Sequence, residues 1–127
     1  MTTLLLVDDE PALLQAMCRL LRQTTYEVYT AENAIDAQLL CKSHPIDLIV
    51  CDHKMPGMSG VTLLAWVAEN IPDTTRILLT GWATIGNLDE AINKAHVDRF
   101  FMKPCEHDTL RTAIQEELQK RRARDRS

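Results

Sequence analysis

The sequence predicts a doubly wound α/β domain, in which helices cover both faces of a parallel sheet. Five short apolar segments alternate with five segments of helical periodicity along the 127 residues. Apolar runs such as "LLLV", "LIV" and "ILL" are continuous rather than alternating, as expected for strands that are buried on both faces. Each strand and the helix that follows it are about as long as one right-handed crossover unit, which makes successive strands parallel.

Each predicted strand is a short apolar run with a polar residue at or just after its end. The β-branched and aliphatic residues of these runs are typical of strands in the interior of a sheet. The five predicted strands are 3–7 (TLLLV), 26–31 (YEVYTA), 46–52 (IDLIVCD), 75–81 (TRILLTG) and 97–103 (VDRFFMK).

The segments between the strands carry apolar residues three and four positions apart, which is the period of an amphipathic helix. Pro11 is tolerated in a first helical turn, and Ser59 can cap the third helix. The predicted helices cover 10–24, 33–44, 59–71, about 88–95, and a last segment from about Glu106. Their predicted buried faces comprise Leu13, Met17, Leu20 and Leu21 in the first helix, Leu88, Ala91, Ile92 and Ala95 in the fourth, and Leu110, Ile114 and Leu118 in the last.

Chain length and composition are those of one globular domain, which we place at residues 1–120. Residues 121–127 lose the apolar period and are charged, so we predict a solvated tail or the start of a linker to an output domain.

A net charge of −4 and an isoelectric point near 5.5 argue against nucleic acid or anionic lipid as a direct partner. With neither a signal peptide nor an apolar stretch long enough to cross a bilayer, we expect a cytoplasmic protein without a membrane partner.

The four cysteines lie far apart and form no C-x-x-C pair, and the four histidines do not supply zinc-binding spacing. We therefore interpret the cysteines as packed or idle thiols. Cys51 adjoins Asp52, but neighbouring side chains of a strand point to opposite faces, so we expect Cys51 to pack beneath a helix.

Polar side chains lie at the carboxyl ends of four predicted strands, the edge at which doubly wound sheets bind ligands. Asp8 and Asp9 follow the first strand, Asp52 ends the third, and Thr80 and Lys103 lie at the ends of the fourth and fifth. In the flavodoxin-like order 2-1-3-4-5 the first and third strands are neighbours, so the three carboxylates should lie within a few ångströms of one another. Such charges repel unless a cation intervenes, and oxygen ligands suit Mg²⁺ (or Mn²⁺).

The formal charges of this site predict phosphoryl transfer. Three carboxylates, one Mg²⁺ and Lys103 together are neutral, and such a site can receive a phosphoryl group. Asp52 is the candidate nucleophile, because carboxylates form aspartyl phosphates. Thr80 offers a hydroxyl donor to a phosphoryl oxygen, and Gly81 leaves room for the group to enter.

Four stretches carry a resemblance to a known family. The stretches "LLLVDDEP", "LIVCDHKMPGMSG", "ILLTG" and "RFFMKP" occur in the order and spacing of bacterial two-component response-regulator receiver domains. The resemblance covers nearly the whole chain, from Thr3 to about Lys120. Each stretch alone is a weak signal, but the four together are highly specific.

The resemblance implies a role for each residue of the strand-end set. Asp52 is then phosphorylated by the phosphohistidine of a histidine kinase or histidine phosphotransfer protein, in a regulatory domain that is not a conventional enzyme. Asp8, Asp9 and the backbone carbonyl of His53 hold Mg²⁺ together with Asp52. Lys103 pairs with the phosphoryl group, and its bond to Pro104 is often cis in the family.

The resemblance also implies a switch and a control of phosphoryl lifetime. Thr80 turns toward the phosphoryl group, and the family's switch aromatic, here Phe100, fills the vacated space. Composition alone assigns both Phe100 and Phe101 to the core. Lys54 and Trp82 flank the path of hydrolytic water in the family, and our hypothesis is that Trp82 slows hydrolysis of the acyl phosphate.

Several neighbouring residues have simpler interpretations. We expect Glu10 to begin the first helix, where negative charge is favourable, and the His53 side chain to be solvated rather than catalytic. Met55 and Met58 are expected to serve packing or partner contact.

Three other functions are compatible with a parallel α/β sheet. A haloacid-dehalogenase-type phosphatase needs a second acid where Lys54 stands, and a flavodoxin-type FMN site needs a phosphate loop where "DDEPALL" would repel phosphate. A non-phosphorylated interaction module would not need the complete acid, threonine and lysine set.

The output and the oligomer are expectations from the family alone. "LLTGWA" and "AINKAHVDRFFMKP" look like receivers found before HD-type phosphodiesterases or transcriptional activators. The sequence does not identify the output domain or partner protein. A homodimer through the fourth helix, fifth strand and fifth helix is expected from the family alone.

Overall fold

The structure is a computed structural model, and it describes residues 1–22, 25–81 and 88–126, with the side chains of 88, 90, 91 and 126 left out. Five parallel strands form one sheet in the order β2-β1-β3-β4-β5, which is the predicted fold. The strands are β1 (Thr3–Val7), β2 (Glu27–Ala31), β3 (Leu48–Asp52), β4 (Thr75–Thr80) and β5 (Arg99–Met102).

The helices begin and end close to the predicted positions. Asn33 and Ser59 cap two of them, because their side-chain oxygens accept hydrogen bonds from the N–H groups of Asp36 and Thr62. The helices are α1 (Pro11–Leu21), α2 (Ala34–Ser43), α3 (Gly60–Asn70), α4 (Leu88–Ala95) and α5 (His107–Arg126). Across the described ranges, none of these helices is long and apolar enough to span a membrane.

The buried side chains form one hydrophobic layer on each face of the sheet. Strand residues alternate between the layers, so that Leu5 and Val7 face one layer while Leu4 and Leu6 face the other. The α2–α4 core includes Leu5, Val7, Cys41, Ile49, Cys51, Leu63, Leu64, Val67, Leu78 and Ala95. The α1–α5 core includes Leu4, Leu6, Leu14, Met17, Leu21, Val50, Ile77, Leu110, Ile114 and Leu118. Cys51 is fully buried in the α2–α4 core, as predicted.

The predicted buried face of the first helix is displaced by one residue. Leu14, Met17 and Leu21 are buried, whereas Leu13 and Leu20 are half-buried. The buried line therefore follows the i, i+3, i+7 positions, and Leu13 and Leu20 flank it because a helix lying on a sheet buries a stripe rather than a single row. In α5 the predicted row of Leu110, Ile114 and Leu118 is buried, and in α4 Ala95 is buried while Ile92 is half-buried.

The charged C-terminal segment continues α5 as helix to Arg126. Arg121 binds this segment to the loops that precede β3 and β4. Its guanidinium donates a hydrogen bond to the Asp73 carbonyl and lies 3.4 Å from Asp47 Oδ1. Asp47 in turn accepts a hydrogen bond from the Thr3 N–H through Oδ2. The start of this segment is thus held against the amino-terminal edge of the sheet, opposite the edge that carries the predicted site.

Candidate functional site at the carboxyl edge of the sheet

The parallel register brings the predicted site residues to one edge. Asp52 ends β3 and Thr80 ends β4, while Asp8 and Lys103 follow directly after β1 and β5. The last paired residues of neighbouring strands, Val7 with Cys51 and Thr80 with Met102, show that these ends are level.

Lys103 joins three of these strand ends by direct contacts. Its Nζ lies 2.9 Å from Asp52 Oδ1 and 3.3 Å from Asp8 Oδ2. Its backbone N–H donates a hydrogen bond of 2.7 Å to the Thr80 carbonyl. Asp8 and Asp52 are only 1% and 5% exposed, so the ammonium compensates two carboxylates that water scarcely reaches. The bond between Lys103 and Pro104 is cis.

The pKa shifts follow from this burial. Burial raises the pKa of Asp52, pairing with Lys103 opposes the rise, and the Asp8 and Asp9 charges add to it. For Lys103 burial acts to lower the pKa, but contacts with Asp52 and Asp8 outweigh it and the pKa is raised. The ammonium is therefore stabilised by the same carboxylates that it neutralises.

Asp8, Asp9 and Glu10 form an acidic group next to this pair. One carboxylate oxygen from each residue lies within 4.8 Å of the others, in the part of the chain that the structure describes. Asp8 is buried and the other two are exposed, and the Glu10 N–H donates to Asp8 Oδ1 at 3.0 Å. Such oxygen donors suit Mg²⁺, which takes one or two carboxylates and keeps several waters. Sequence reasoning treated Glu10 only as the start of α1, although its position directly after the acid pair was a signal.

Asp52 is not a member of that acidic group. Its carboxylate instead faces a cavity of about 540 Å³ that separates the β3–α3 loop from the acidic residues. Among the described residues, a Cβ added to Gly81 would contact nothing within 4 Å, so Gly81 leaves this side of the cavity open to them. The cavity is lined by Asp9, Glu10, Asp52, Lys54, Met55, Pro56, Gly81 and Lys103.

The His53 side chain differs from expectation. The ring is half-buried, and its Nδ1 is buried without a hydrogen-bond partner in the described part of the chain. Burial lowers the pKa of His53, while the Asp52 charge acts in the opposite direction. The His53 N–H donates to the Leu79 carbonyl, and the His53 carbonyl accepts from the Gly60 N–H, both at 2.8 Å. The backbone carbonyl of His53 is thereby bound to the first residue of α3.

The two candidate switch residues lie on neighbouring strands. The Thr80 side chain is 1% exposed, and its Oγ1 donates to the Gly81 carbonyl at 3.3 Å. Phe100 is 42% exposed, so the composition-based assignment of this residue to the core is wrong. Phe100 pairs with Leu78 of the α2–α4 core and so shares that face, whereas Phe101 packs against the α1–α5 core.

The remaining predicted residues have different outcomes. Lys54 lines the cavity beside Asp52. Trp82 lies outside the described residues. Met55 is buried and belongs to the α2–α4 core, and half-buried Met58 packs against it, which agrees with the packing interpretation.

A family model described as "Response regulator receiver domain" matches residues 4–115. This chain belongs to the response regulator receiver family. The receiver is 34% identical to the hydrogenase transcriptional regulatory protein HoxA of Bradyrhizobium diazoefficiens over 117 residues, which cover 92% of the receiver and 24% of HoxA. It is 33% identical to the transcriptional regulatory protein GlrR of Escherichia coli K12, over 91% of the receiver and 26% of GlrR. The receiver thus spans about a quarter of the length of these curated relatives.

Solved structures show the same fold. The signal receiver domain of an HD domain-containing protein from Pseudomonas fluorescens Pf-5 is 34% identical, with a TM-score of 0.90 over 96% of this receiver and 98% of that chain. A CheY-like receiver domain protein from Methanospirillum hungatei JF-1 is 28% identical, with a TM-score of 0.90 over 98% of both chains. This receiver is therefore a regulatory domain of two-component signalling.

Proposed function

We propose that this receiver accepts a phosphoryl group on Asp52 from the phosphohistidine of a histidine kinase or histidine phosphotransfer protein. The observation that supports it is the double contact of the Lys103 ammonium with Asp52 and Asp8 at the carboxyl edge of the sheet. A nearly buried carboxylate beside both an open cavity and a compensating cation is a candidate functional group.

The donor set supports Mg²⁺ (or Mn²⁺) as the cofactor. Asp8, Asp9 and Asp52 would hold the ion with the His53 backbone carbonyl, and Glu10 adds negative charge to the same region. When bound, the ion neutralises charge on the oxygens of the transferring phosphoryl group. The formal charges of the three aspartates, the ion and the Lys103 ammonium sum to zero. Lys103 could therefore keep its contacts in the site while Mg²⁺ is bound.

The transfer itself is a displacement at phosphorus. A carboxylate oxygen of Asp52 attacks the phosphorus, the P–O bond forms as the P–N bond of phosphohistidine breaks, and the imidazole leaves with that electron pair. Lys103, which already contacts Asp52, then neutralises charge on the phosphoryl oxygens. The cavity beside Asp52 and the open side at Gly81 leave room for the incoming group.

Phosphorylation would change the surface of the receiver through Thr80. Its hydroxyl, which donates to the Gly81 carbonyl here, would donate to a phosphoryl oxygen instead. Exposed Phe100 then turns into the space that Thr80 leaves, and the surface near β5 changes. Phenylalanine lacks the hydroxyl that many relatives carry at this position, so any output contact through that oxygen is missing.

Phosphorylation of the purified chain tests the assignment. Intact mass is measured after incubation with acetyl phosphate and Mg²⁺, for wild type and for Asp52→Asn. We expect wild type to gain the mass of one phosphoryl group and Asp52→Asn to gain none. No gain in wild type, or an equal gain in the variant, would contradict the proposal.

Lys54 and Trp82 are proposed to control the lifetime of the phosphoryl group by limiting the approach of water. Lys54 already lines the cavity beside Asp52. Dephosphorylation is followed after removal of acetyl phosphate, and Trp82→Ala should lose the group faster than wild type. An unchanged or slower rate would contradict this role.

We propose that the receiver regulates an output domain or partner protein in the cytoplasm. The curated relatives are transcriptional regulatory proteins, and one solved relative comes from an HD domain-containing protein, which supports a transcriptional or HD-type output. Homodimerisation through α4, β5 and α5 is supported by the exposure of Phe100 and Met102 on β5. Light scattering during size exclusion, with and without phosphorylation, tests the dimer, and a monomer in both states would contradict it.

A further inference from the structure

We propose that the exposed face of α2 is a self-association surface, on which α2 of a second copy of this chain packs in the antiparallel direction. The occupant is a second copy because the exposed residues of this face complement themselves in both polarity and charge. The contact depends neither on phosphorylation nor on the surface formed by α4, β5 and α5.

Helix α2 buries small side chains and exposes large apolar ones. Ala34, Ala37 and Cys41 are buried, whereas Ile35 and Leu39 are 66% and 55% exposed. An amphipathic helix ordinarily turns its large apolar residues toward the core. Ile35 and Leu39 are four positions apart, so they are neighbours on one face of the helix. Adjacent exposed apolar side chains, unlike scattered ones, are typical of an interaction surface.

A half-buried tryptophan borders the C-terminal end of this apolar pair. Helix α2 packs against α3, and the Lys42 ammonium lies 5.9 Å from the centre of the Trp66 ring. Tryptophan is enriched among the residues that contribute most to protein interfaces. The ring therefore adds apolar surface beside Leu39.

The order of residues along α2 is self-complementary. Ile35 and Leu39 lie two positions on either side of Ala37, and Glu32 and Lys42 lie five positions on either side of it. A twofold axis at Ala37 would therefore place Ile35 against Leu39 of the partner subunit and Glu32 against Lys42 of the partner subunit, each twice. The dimer would have an apolar centre with an ion pair at each end.

The end charges select the antiparallel orientation. Glu32 and Lys42 are both exposed, and neither forms a salt bridge with another residue in the described ranges. Parallel packing would bring like charges together at both ends, whereas antiparallel packing pairs opposite charges at both ends. Charge thus fixes the direction of a contact that the apolar pair stabilises.

This surface and the β5 surface lie at opposite edges of the sheet. Helix α2 packs on β2, which is one edge strand, and β5 is the other edge strand. A contact through α2 would leave Phe100 and Met102 on β5 uncovered. The two surfaces can therefore be tested separately.

Sedimentation equilibrium of the unphosphorylated chain in EDTA tests the contact. The apolar centre is small, so we expect a weak dimer that forms between about 10 µM and 1 mM. Leu39→Glu should weaken association at least about tenfold, because it places a charge in that centre. Met102→Glu, at the other edge of the sheet, is the matched control and should associate like wild type.

Charge reversal tests the orientation. Glu32→Lys and Lys42→Glu should each weaken the dimer about tenfold, because each creates like-charge pairs at both ends of the contact. An equimolar mixture of these two variants should associate about as tightly as wild type, since the chain with two acids faces the chain with two bases. These variants decide the question if Leu39→Glu does not fold.

All of the altered side chains are exposed, so the variants should unfold at the same urea concentration as wild type. A wild-type chain that stays monomeric up to about 1 mM would overturn the inference and leave this face to a different protein. Association that is lost in Met102→Glu but kept in Leu39→Glu, or a mixture of the charge variants that stays monomeric, would overturn it as well.

Discussion

At the scale of single residues, Lys103 contacts two carboxylates that are almost fully buried, while its own side chain is 28% exposed. Lys103→Met should lower the free energy of unfolding by about 2 kcal/mol in EDTA, since it leaves both carboxylates without a cation and partial exposure of Lys103 moderates the loss. Mg²⁺ should restore part of that stability, because the variant site carries one more net negative charge. Urea unfolding with EDTA and with Mg²⁺ measures both effects.

Lys54→Met is the control for Lys103→Met. Lys54 is an exposed lysine that lines the same cavity, and its removal should change the free energy of unfolding by less than about 0.5 kcal/mol. Equal losses in the two variants would show that Lys103 does not compensate the buried charges, and no effect of Mg²⁺ on Lys103→Met would contradict the proposed metal site.

The cysteines differ in burial and should differ in reactivity. Burial raises the pKa of Cys41 to about 11 and that of Cys51 well above its ordinary value, so neither forms much thiolate at pH 8. Cys18 and Cys105 are half-buried, and burial also raises the pKa of each. With iodoacetamide at pH 8, intact mass should show labelling of Cys18 and Cys105 only, and of all four cysteines in urea. Rapid labelling of Cys41 in the folded protein would contradict this burial.

At the scale of elements, Arg76 ties the end of α4 to the loop before β4. Its Nε donates to the His96 carbonyl at 2.9 Å, and its Nη1 donates to the carbonyls of Thr74 and Pro72 at 2.9 and 3.2 Å. Arg76 is 8% exposed, and its backbone N–H bonds to Asp98 Oδ2. The C-terminal end of α4 is thus pinned to the loop before β4.

Arg76→Met keeps an unbranched apolar side chain but removes these donors. The free energy of unfolding should fall by about 2 kcal/mol, because several carbonyls lose their partner. Amide exchange at His96 and Val97, measured by NMR, should become faster. Arg111→Met is the control, since Arg111 forms an exposed ion pair with Asp108 on α5 and its loss should have a small effect. Unchanged exchange at the end of α4 would refute the pinning.

At the scale of the whole molecule, one sheet separates two hydrophobic layers. Leu64 is fully buried in the α2–α4 core and Ile114 is fully buried in the α1–α5 core. Leu64→Ala should cost about 3 kcal/mol and Ile114→Val about 1 kcal/mol. Because the side chains lie on opposite faces, the losses should add in the double variant, with one unfolding transition. A biphasic transition, or losses that clearly do not add in urea unfolding, would mean that the layers do not share one cooperative unit as we infer.

The sequence by itself determined the strands, the alternation of elements and the convergence of Asp8, Asp52, Thr80 and Lys103 on one edge. This was possible because apolar runs mark buried strands and a parallel sheet collects all their carboxyl ends at one side. Cys51 could be assigned to packing for a similar reason, since strand alternation decides which face a residue occupies.

Only the tertiary structure decided how close the groups come to one another. Three features depend on distances between segments remote in the sequence or on the path of a loop. They are the contact of Lys103 with both Asp8 and Asp52, the inclusion of Glu10 in the acidic group, and the overlap that a side chain at Gly60 would cause. Periodicity reports which face a residue occupies, but it carries no information on the separation of two backbones. That separation is set by packing, and it determines whether a set of polar residues forms a site.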